Sequence, residues 1–485
     1  MFIRQTLLYL PAQILAPALQ FATIIVWAHI LPVDAVAIAT LVVAIQEIGF
    51  AAFFMWWSHF VLRHLSKFRV SNEIDKFLGS EPIALIASIV CQVAVITPVT
   101  WLYFNKLNLA STAVILAFIS TRSVNNYFSE RARADAKIRL YTTMQVAVPA
   151  LGLTLSVLFC SWFGASETSV LGGFAVAQGG SLFLALFDSD FARRPLKVDK
   201  SILAGAVTFG IPVMAAQLLS TVALNAPRFI VDQTLGLTAA GAFAVAYGLG
   251  LRTSSFAVML VTAGAYPMVV RKFETEGIEA AYNQLRSNII MVLLVVVPCA
   301  LGLLAVNPSV IKILLPSDIQ MDAESVLPLA AIGGMLRYMR SHSTDQVFLL
   351  KSRPVVSSII SLVDLVLVLI FSTLGAINYG LAGAISGPVI AAAITLIASF
   401  SIAHFRFAFA FPFQGLFRIL IAGALMAGSV SLLPDTDNIA VLSTTILFGG
   451  IVYFVAIWIL FPVYANSILY KFRKRIRRGN YNSRD

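Results

Sequence analysis

Apolar residues fill this chain in blocks of about twenty, and polar residues gather in short intervals between them. A block of that length spans the hydrocarbon of a bilayer as a helix, the one open-ended structure that satisfies its own backbone there. The pattern predicts fourteen helices, over 7–30, 35–60, 82–103, 110–128, 141–163, 168–187, 203–227, 237–263, 287–306, 326–350, 355–375, 380–403, 415–433 and 440–463. The intervals leave no room for a soluble domain. Composition agrees: 59% of the 485 residues are hydrophobic and 12% charged, with a mean hydropathy of +0.88, far from the half apolar and quarter charged of soluble domains. The first apolar run follows a single early Arg4, is too long for a signal peptide and carries no small-residue cleavage pattern, so it reads as the first spanning helix.

Charge sets the expected orientation. With both termini cytoplasmic, the inner intervals and tail hold 26 of the 34 Lys and Arg, whereas the outer loops hold only Lys106, Arg228 and Lys312. Such asymmetry follows the rule that basic residues stay inside. The net charge of +11 therefore reads as orientation and contact with anionic lipid, not nucleic-acid binding.

An internal repeat is also visible. AIATLVVAIQEIGF in the second helix resembles AFAVAYGLGLRTSSF in the eighth, and SVLGGFAVAQGGSLFLAL in the sixth resembles GLAGAISGPVIAAAITLI in the twelfth. The predicted fold is an all-α polytopic membrane protein of about fourteen transmembrane helices. Its domains are an N-lobe over 1–200 (helices 1–6), a C-lobe over 201–410 (helices 7–12), two further helices over 411–463 and a basic cytoplasmic tail over 464–485. Paired transporter lobes of this kind place a substrate site between the repeats.

Four arginines lie inside predicted spans: Arg122, Arg252, Arg337 and Arg340. A fifth, Arg418, is near a helix end and snorkels. Each deep Arg costs roughly 2.5–3.5 kcal/mol even on insertion scales, so each must face water, a counter-charge or an anionic ligand. Arg337 and Arg340, three residues apart, share a helix face and fit one cavity; early termination of that helix, with snorkelling or pairing, is the competing reading. Glu47 and Asp364 are also deep. They read either as proton or cation sites or as static partners of the arginines. Asp345 pairs with Arg340 or Lys351.

Other chemistry is thin. DTD at 435–437 and DSD at 188–190 sit in short loops and read as turns. His29, His59, His64, His342 and His404 lack metal-ligand spacing, and Cys91, Cys160 and Cys299 fit small core residues without disulfide or metal spacing. No Walker A loop is present. No cofactor or metal is expected.

WAHILPVDAVAIATLVVAIQEIGF, NAPRFIVDQTLGLTAAGAFAVAYGLGLR with its Asp232, AYPMVVRKFETEGIEAAYNQL and STLGAINYGLAGAISG resemble the corresponding stretches of the Wzx-type polysaccharide flippases of the multidrug/oligosaccharidyl-lipid/polysaccharide exporter superfamily. The resemblance covers nearly the whole chain; where that family often has Asn in helix 11, this chain has Asp364. It implies a two-lobed, V-shaped transporter that alternates between inward and outward states. It further implies a cationic central cavity and, as substrate, an oligosaccharide on undecaprenyl pyrophosphate for lipopolysaccharide or exopolysaccharide assembly at the bacterial inner membrane. A coupling H+ or Na+ gradient, membrane lipids, and a polysaccharide polymerase with its chain-length machinery are the implied partners. Arg122, Arg252, Arg337 and Arg340 would contact the pyrophosphate or acidic sugars, because guanidinium forks match phosphate oxygens; Glu47 and Asp364 would be the ion-coupling residues. A lipid II flippase and a multidrug/cation antiporter remain as alternatives within the superfamily, although a cation carrier calls for an acidic cavity. A membrane glycosyltransferase, polymerase or ligase is disfavoured because the longest outer loop, NPSVIKILLPSDIQMDAES, is short. The chain is therefore read as a transporter, not an enzyme.

Overall fold

The structure, a computed structural model, describes residues 2–71, 73–104, 108–188, 198–262 and 265–461. Expectations for Lys106, most of the DSD motif, the basic stretch at 193–197 and the tail fall outside the described residues. Every element among them is helical. The first half of the chain supplies α1 (Phe2–Ile30), α2 (Val33–Phe53), α3 (Met55–Val70), α4 (Ile74–Tyr103), α5 (Leu109–Ala134), α6 (Ile138–Thr142), α7 (Val148–Phe163) and α8 (Glu167–Asp188). The second supplies α9 (Lys200–Leu235), α10 (Leu237–Thr262), α11 (Ala265–Glu276), α12 (Ile278–Ala305), α13 (Asn307–Leu314), α14 (Ser317–Ser341), α15 (Thr344–Leu350), α16 (Pro354–Phe407), α17 (Phe413–Ser431) and α18 (Ile439–Leu460).

Each of the fourteen expected helices has a counterpart, and nine helices among the described residues are long and apolar enough to cross a membrane. α16 counts once there but holds two passes, since its backbone reverses at Gly380, whose φ of +61° favours a residue without Cβ. Large apolar side chains stand exposed around the outside, among them Trp101, Leu102, Ile446, Leu447, Ile451 and Phe454. A soluble surface would not tolerate that belt; a multi-pass membrane protein requires it. Cys91 belongs to this exposed surface and not to the core.

The differences from the sequence pattern fall at helix ends. The expected helix 35–60 breaks at Phe54 into α2 and α3. The expected helix 326–350 stops at Ser341 and resumes at Thr344 as α15, so Arg340 occupies the last turn of α14 and is not mid-helix. The stretch taken as the longest outer loop is mostly helical, in α13 and the start of α14. Between α6 and α7 the chain takes a π turn over Thr143–Ala147, a local widening that often marks functional sites. Side-chain caps fix three starts: Asn108 accepts from the Ser111 amide, Asp199 from the Ser201 amide, and Asn438 from the Ala440 amide.

The two halves meet along two seams. At the charge-poor end, the Thr238 hydroxyl donates to Asp34 at 2.6 Å and the Tyr103 hydroxyl to Asp232. There α10 comes so close to the α1–α2 turn that a Cβ on Gly241 would lie 2.3 Å from the Val33 carbonyl oxygen. At the basic end, a Cβ on Gly210 would lie 2.1 Å from the Trp56 carbonyl oxygen, and Arg63 sits 4.8 Å over the Phe209 ring. Beside that seam, α3, α4 and α5 are tied by a buried network. Arg131 donates to Glu81 at 2.5 Å and to Asp135 at 3.0 Å, Arg69 reaches the same Asp135, and Tyr127 donates to Glu81.

Gly241→Val forces this backbone contact apart at a cost of about 1–3 kcal/mol. An Asp34→Cys/Thr238→Cys pair that crosslinks in the parent protein should stop crosslinking in the Gly241→Val background, measured by gel shift after oxidation in membranes.

Candidate functional site

A cavity of about 100 Å³ lies where the halves face each other, lined by α1, α2, α5, the π turn, α7 and α8 from the first half and by α9 and α10 from the second. Its charged lining is Glu47 on α2, Arg122 on α5, Arg228 on α9 and Arg252 on α10. Three positive charges against one negative leave a net of plus two. The cavity is therefore electropositive within a low-dielectric surround, where a fixed charge acts over a long range.

Each side chain is held by its neighbours. The Arg252 Nη1 donates to the Gln20 carbonyl oxygen at 2.8 Å, tying α10 to α1. Arg122 lies over the Phe118 ring at 5.6 Å, and its Nε has no hydrogen-bond partner among the described residues. The Arg228 Nη1 donates to the Asn225 Oδ1 at 2.6 Å, and the Asn225 Nδ2 donates in turn to the Glu47 Oε2 at 3.1 Å. One amide thus joins the two halves and links a cation to the carboxylate. Glu47 interacts electrostatically with both Arg122 and Arg252, so all four ionic groups form one coupled set. Polar residues complete the wall: Asn125, fixed by the Ser181 hydroxyl at 2.8 Å, and Gln178, which accepts from Thr121.

The four arginines singled out from sequence do not share this cavity. Arg122 and Arg252 line it; Arg337 and Arg340 line a second, larger one of about 640 Å³ between α9, α10, α14, α15 and α16, with His59 of α3 at its edge. There both are paired. The Arg337 Nη1 donates to Asp364, which is 1% exposed, and the Arg340 Nε stands 3.5 Å from Asp345. The two cavities thus differ in charge: the first is cationic, the second balanced. Glu47 and Asp364, grouped together from sequence, are likewise separated, one in each environment.

Arg228 is the residue that sequence reasoning misplaced. Pro227 was read as the end of a helix and Arg228 as an outer-loop charge, but α9 runs on to Leu235 through Pro227. A proline within a membrane helix is tolerated because neighbouring groups satisfy the freed carbonyl. The signal that finds Arg228 is the apolar run FIV directly after it. Elsewhere, Glu47 and Arg252 occupy the same place in the two similar stretches of helices 2 and 8, so the repeat sets opposite charges at matching positions.

Residues 80–320 match the family model described as polysaccharide biosynthesis protein. No curated protein matches the chain. Solved structures share the fold. A lipid II flippase, MurJ, in an inward closed conformation overlays with a TM-score of 0.72 at 14% identity, covering 95% of this chain and 100% of that one. An inward-facing multidrug resistance MATE family transporter of the MOP superfamily overlays with a TM-score of 0.67 at 17% identity, covering 83% and 98%. An outward-facing MATE family transporter gives 0.58 at 15% identity, covering 83% and 95%.

Breaking one partner of a buried pair leaves an uncompensated charge and costs about 3–5 kcal/mol. Arg337→Leu should lower the thermal stability of the detergent-solubilised protein by that order, and the double variant Arg337→Leu/Asp364→Leu should recover most of the loss in the same melting assay.

Proposed function

We propose, on the premise that the chain is a member of the polysaccharide biosynthesis protein family matched by its residues 80–320, that it moves a glycan carried on undecaprenyl pyrophosphate across the bacterial inner membrane during surface polysaccharide assembly. The observation that carries this reading is the net-positive cavity between the halves, with Arg122, Arg228 and Arg252 converging on it. A pyrophosphate is the anion such a set suits, because guanidinium forks donate to its oxygens pairwise and keep their charge through the whole cycle. A carrier of cationic drugs would require the opposite sign, which places the flippase reading above the multidrug antiporter.

The transport cycle follows from the seams. Both seams are in contact here; in this reading, opening the basic end admits the headgroup from the cytoplasmic leaflet, and opening the charge-poor end releases it. The N-lobe over 1–200 and the C-lobe over 201–410 are the moving bodies in this reading, with both termini cytoplasmic and the helices over 411–463 outside the central cavity. Glu47 is the coupling group. Ionised, it neutralises one guanidinium and holds Asn225 across the halves; protonated, it releases both and leaves three free cations for the anion. Substrate binding and proton release then compete at one carboxylate. Lipids contact the apolar belt, and a polymerase receives the product on the far side.

Arg228→Ala and Arg252→Ala should each lower surface polysaccharide by at least about tenfold, the effect of losing one charge-assisted contact, in a strain lacking the natural protein, with membrane levels unchanged on an immunoblot. The Lys versions should rescue in part. Wild-type amounts of polysaccharide with both Ala variants would falsify the assignment. In proteoliposomes, Glu47→Gln should remove the dependence of lipid-linked glycan transport on an imposed proton gradient.

A further inference from the structure

We infer that the second cavity is a subsite for the uncharged, hydroxyl-rich part of the glycan, so that one transporter reads the two ends of its headgroup with two cavities of different charge; the inference rests on the flippase reading above. The cavity of about 640 Å³ carries two guanidinium groups, each already matched by a carboxylate: Arg337 by Asp364 and Arg340 by Asp345. No net charge remains to attract an anion. What remains is hydrogen-bonding capacity. The Arg337 Nε and Nη2 and the Arg340 Nη1 are buried with no hydrogen-bond partner among the described residues. Ser358 and Gln217 add hydroxyl and amide groups to the lining, and Tyr338 adds a ring.

Carboxylate–arginine pairs, hydroxyls and an amide beside an aromatic face match the chemistry of sugars. Sugar hydroxyls donate to and accept from paired charges, while the C–H faces of the rings pack on apolar and aromatic walls.

The placement fits a headgroup that occupies both cavities at once. α9 borders both: Gln217 lines the second and Arg228 the first. Eleven residues apart on one helix, they are separated by about 16 Å along its axis, a distance several linked sugars can cover. α10 lies between, with Leu251 facing the second cavity and Arg252 the first. Tyr247 forms part of the partition, its hydroxyl on the Leu224 carbonyl oxygen at 3.1 Å and its ring 5.7 Å beneath Arg228.

The test compares two lipids in proteoliposomes: undecaprenyl pyrophosphate carrying one neutral hexose, and the same lipid carrying a tetrasaccharide of neutral hexoses. For the double variant Gln217→Ala/Ser358→Ala the loss of transport should be about tenfold larger for the tetrasaccharide lipid than for the single-hexose lipid, as two neutral hydrogen bonds predict. Ala216→Leu, which fills the same cavity, should show the same bias without removing a polar group. Arg252→Ala should slow both lipids alike. Equal losses for both lipids in the two second-cavity variants, no loss for either, or a larger loss for the single-hexose lipid would each overturn the subsite. A parent protein that moves neither lipid would overturn the flippase reading instead, and the subsite with it. Retained stabilisation of the variants by inorganic pyrophosphate in a melting assay confirms that they are folded.

Discussion

A charge placed in hydrocarbon has to be answered, and the arrangement of this molecule follows from how each one is. Born costs make an isolated buried ion prohibitive, and pairing restores only part of that cost. Arg131 is answered by Glu81 and Asp135, Arg337 by Asp364, and Arg340 by Asp345. Against Arg122, Arg228 and Arg252 stands a single acid, Glu47. The uncompensated charge is thereby concentrated in one place, between the halves, where a mobile anion can complete the balance. The paired arginines are balanced by partners, and the unpaired ones are, in the reading proposed above, the groups that meet an anion.

Much of this was legible from the residues alone, and the parts that were not have a common cause. The helices could be read because length and apolarity decide them locally; the polysaccharide family matched by residues 80–320 and the transporter folds agree with that reading. The depth of Arg122 and Arg252 was equally plain. Arg340 was read as one of two partners of Asp345, and the structure pairs them; that Arg337 would find Asp364 was not plain, since the two lie on different helices and meet only through tertiary packing. Arg228 was lost because Pro227 carries a strong breaker signal that the surrounding helices override. The stop at Ser341, which turns Arg340 into a helix-end residue, follows from no Gly or Pro at that point; Ser343 at the start of α15 is the nearest polar cue.

Each seam relies on a glycine that lets two backbones touch, Gly241 against Val33 and Gly210 against Trp56, and on a handful of polar contacts such as Thr238 to Asp34. Among the described residues, neither seam contains a deeply buried ion pair whose rupture would strand a charge. In the reading proposed above, exchange of one seam for the other trades similar small terms, and a ligand with modest preference for one state shifts the balance.

Asn225 has a consequence for how the chain tolerates change. Its side chain offers an acceptor to Arg228 and a donor to Glu47, two demands of opposite polarity met by one short group. Aspartate would satisfy the guanidinium but set two carboxylates facing each other; leucine, of similar size, would satisfy neither; glutamine would overreach by a methylene. The amide acts as an adapter plug between unlike sockets, so that helix position is held open to very few substitutes even though no ligand need ever touch it.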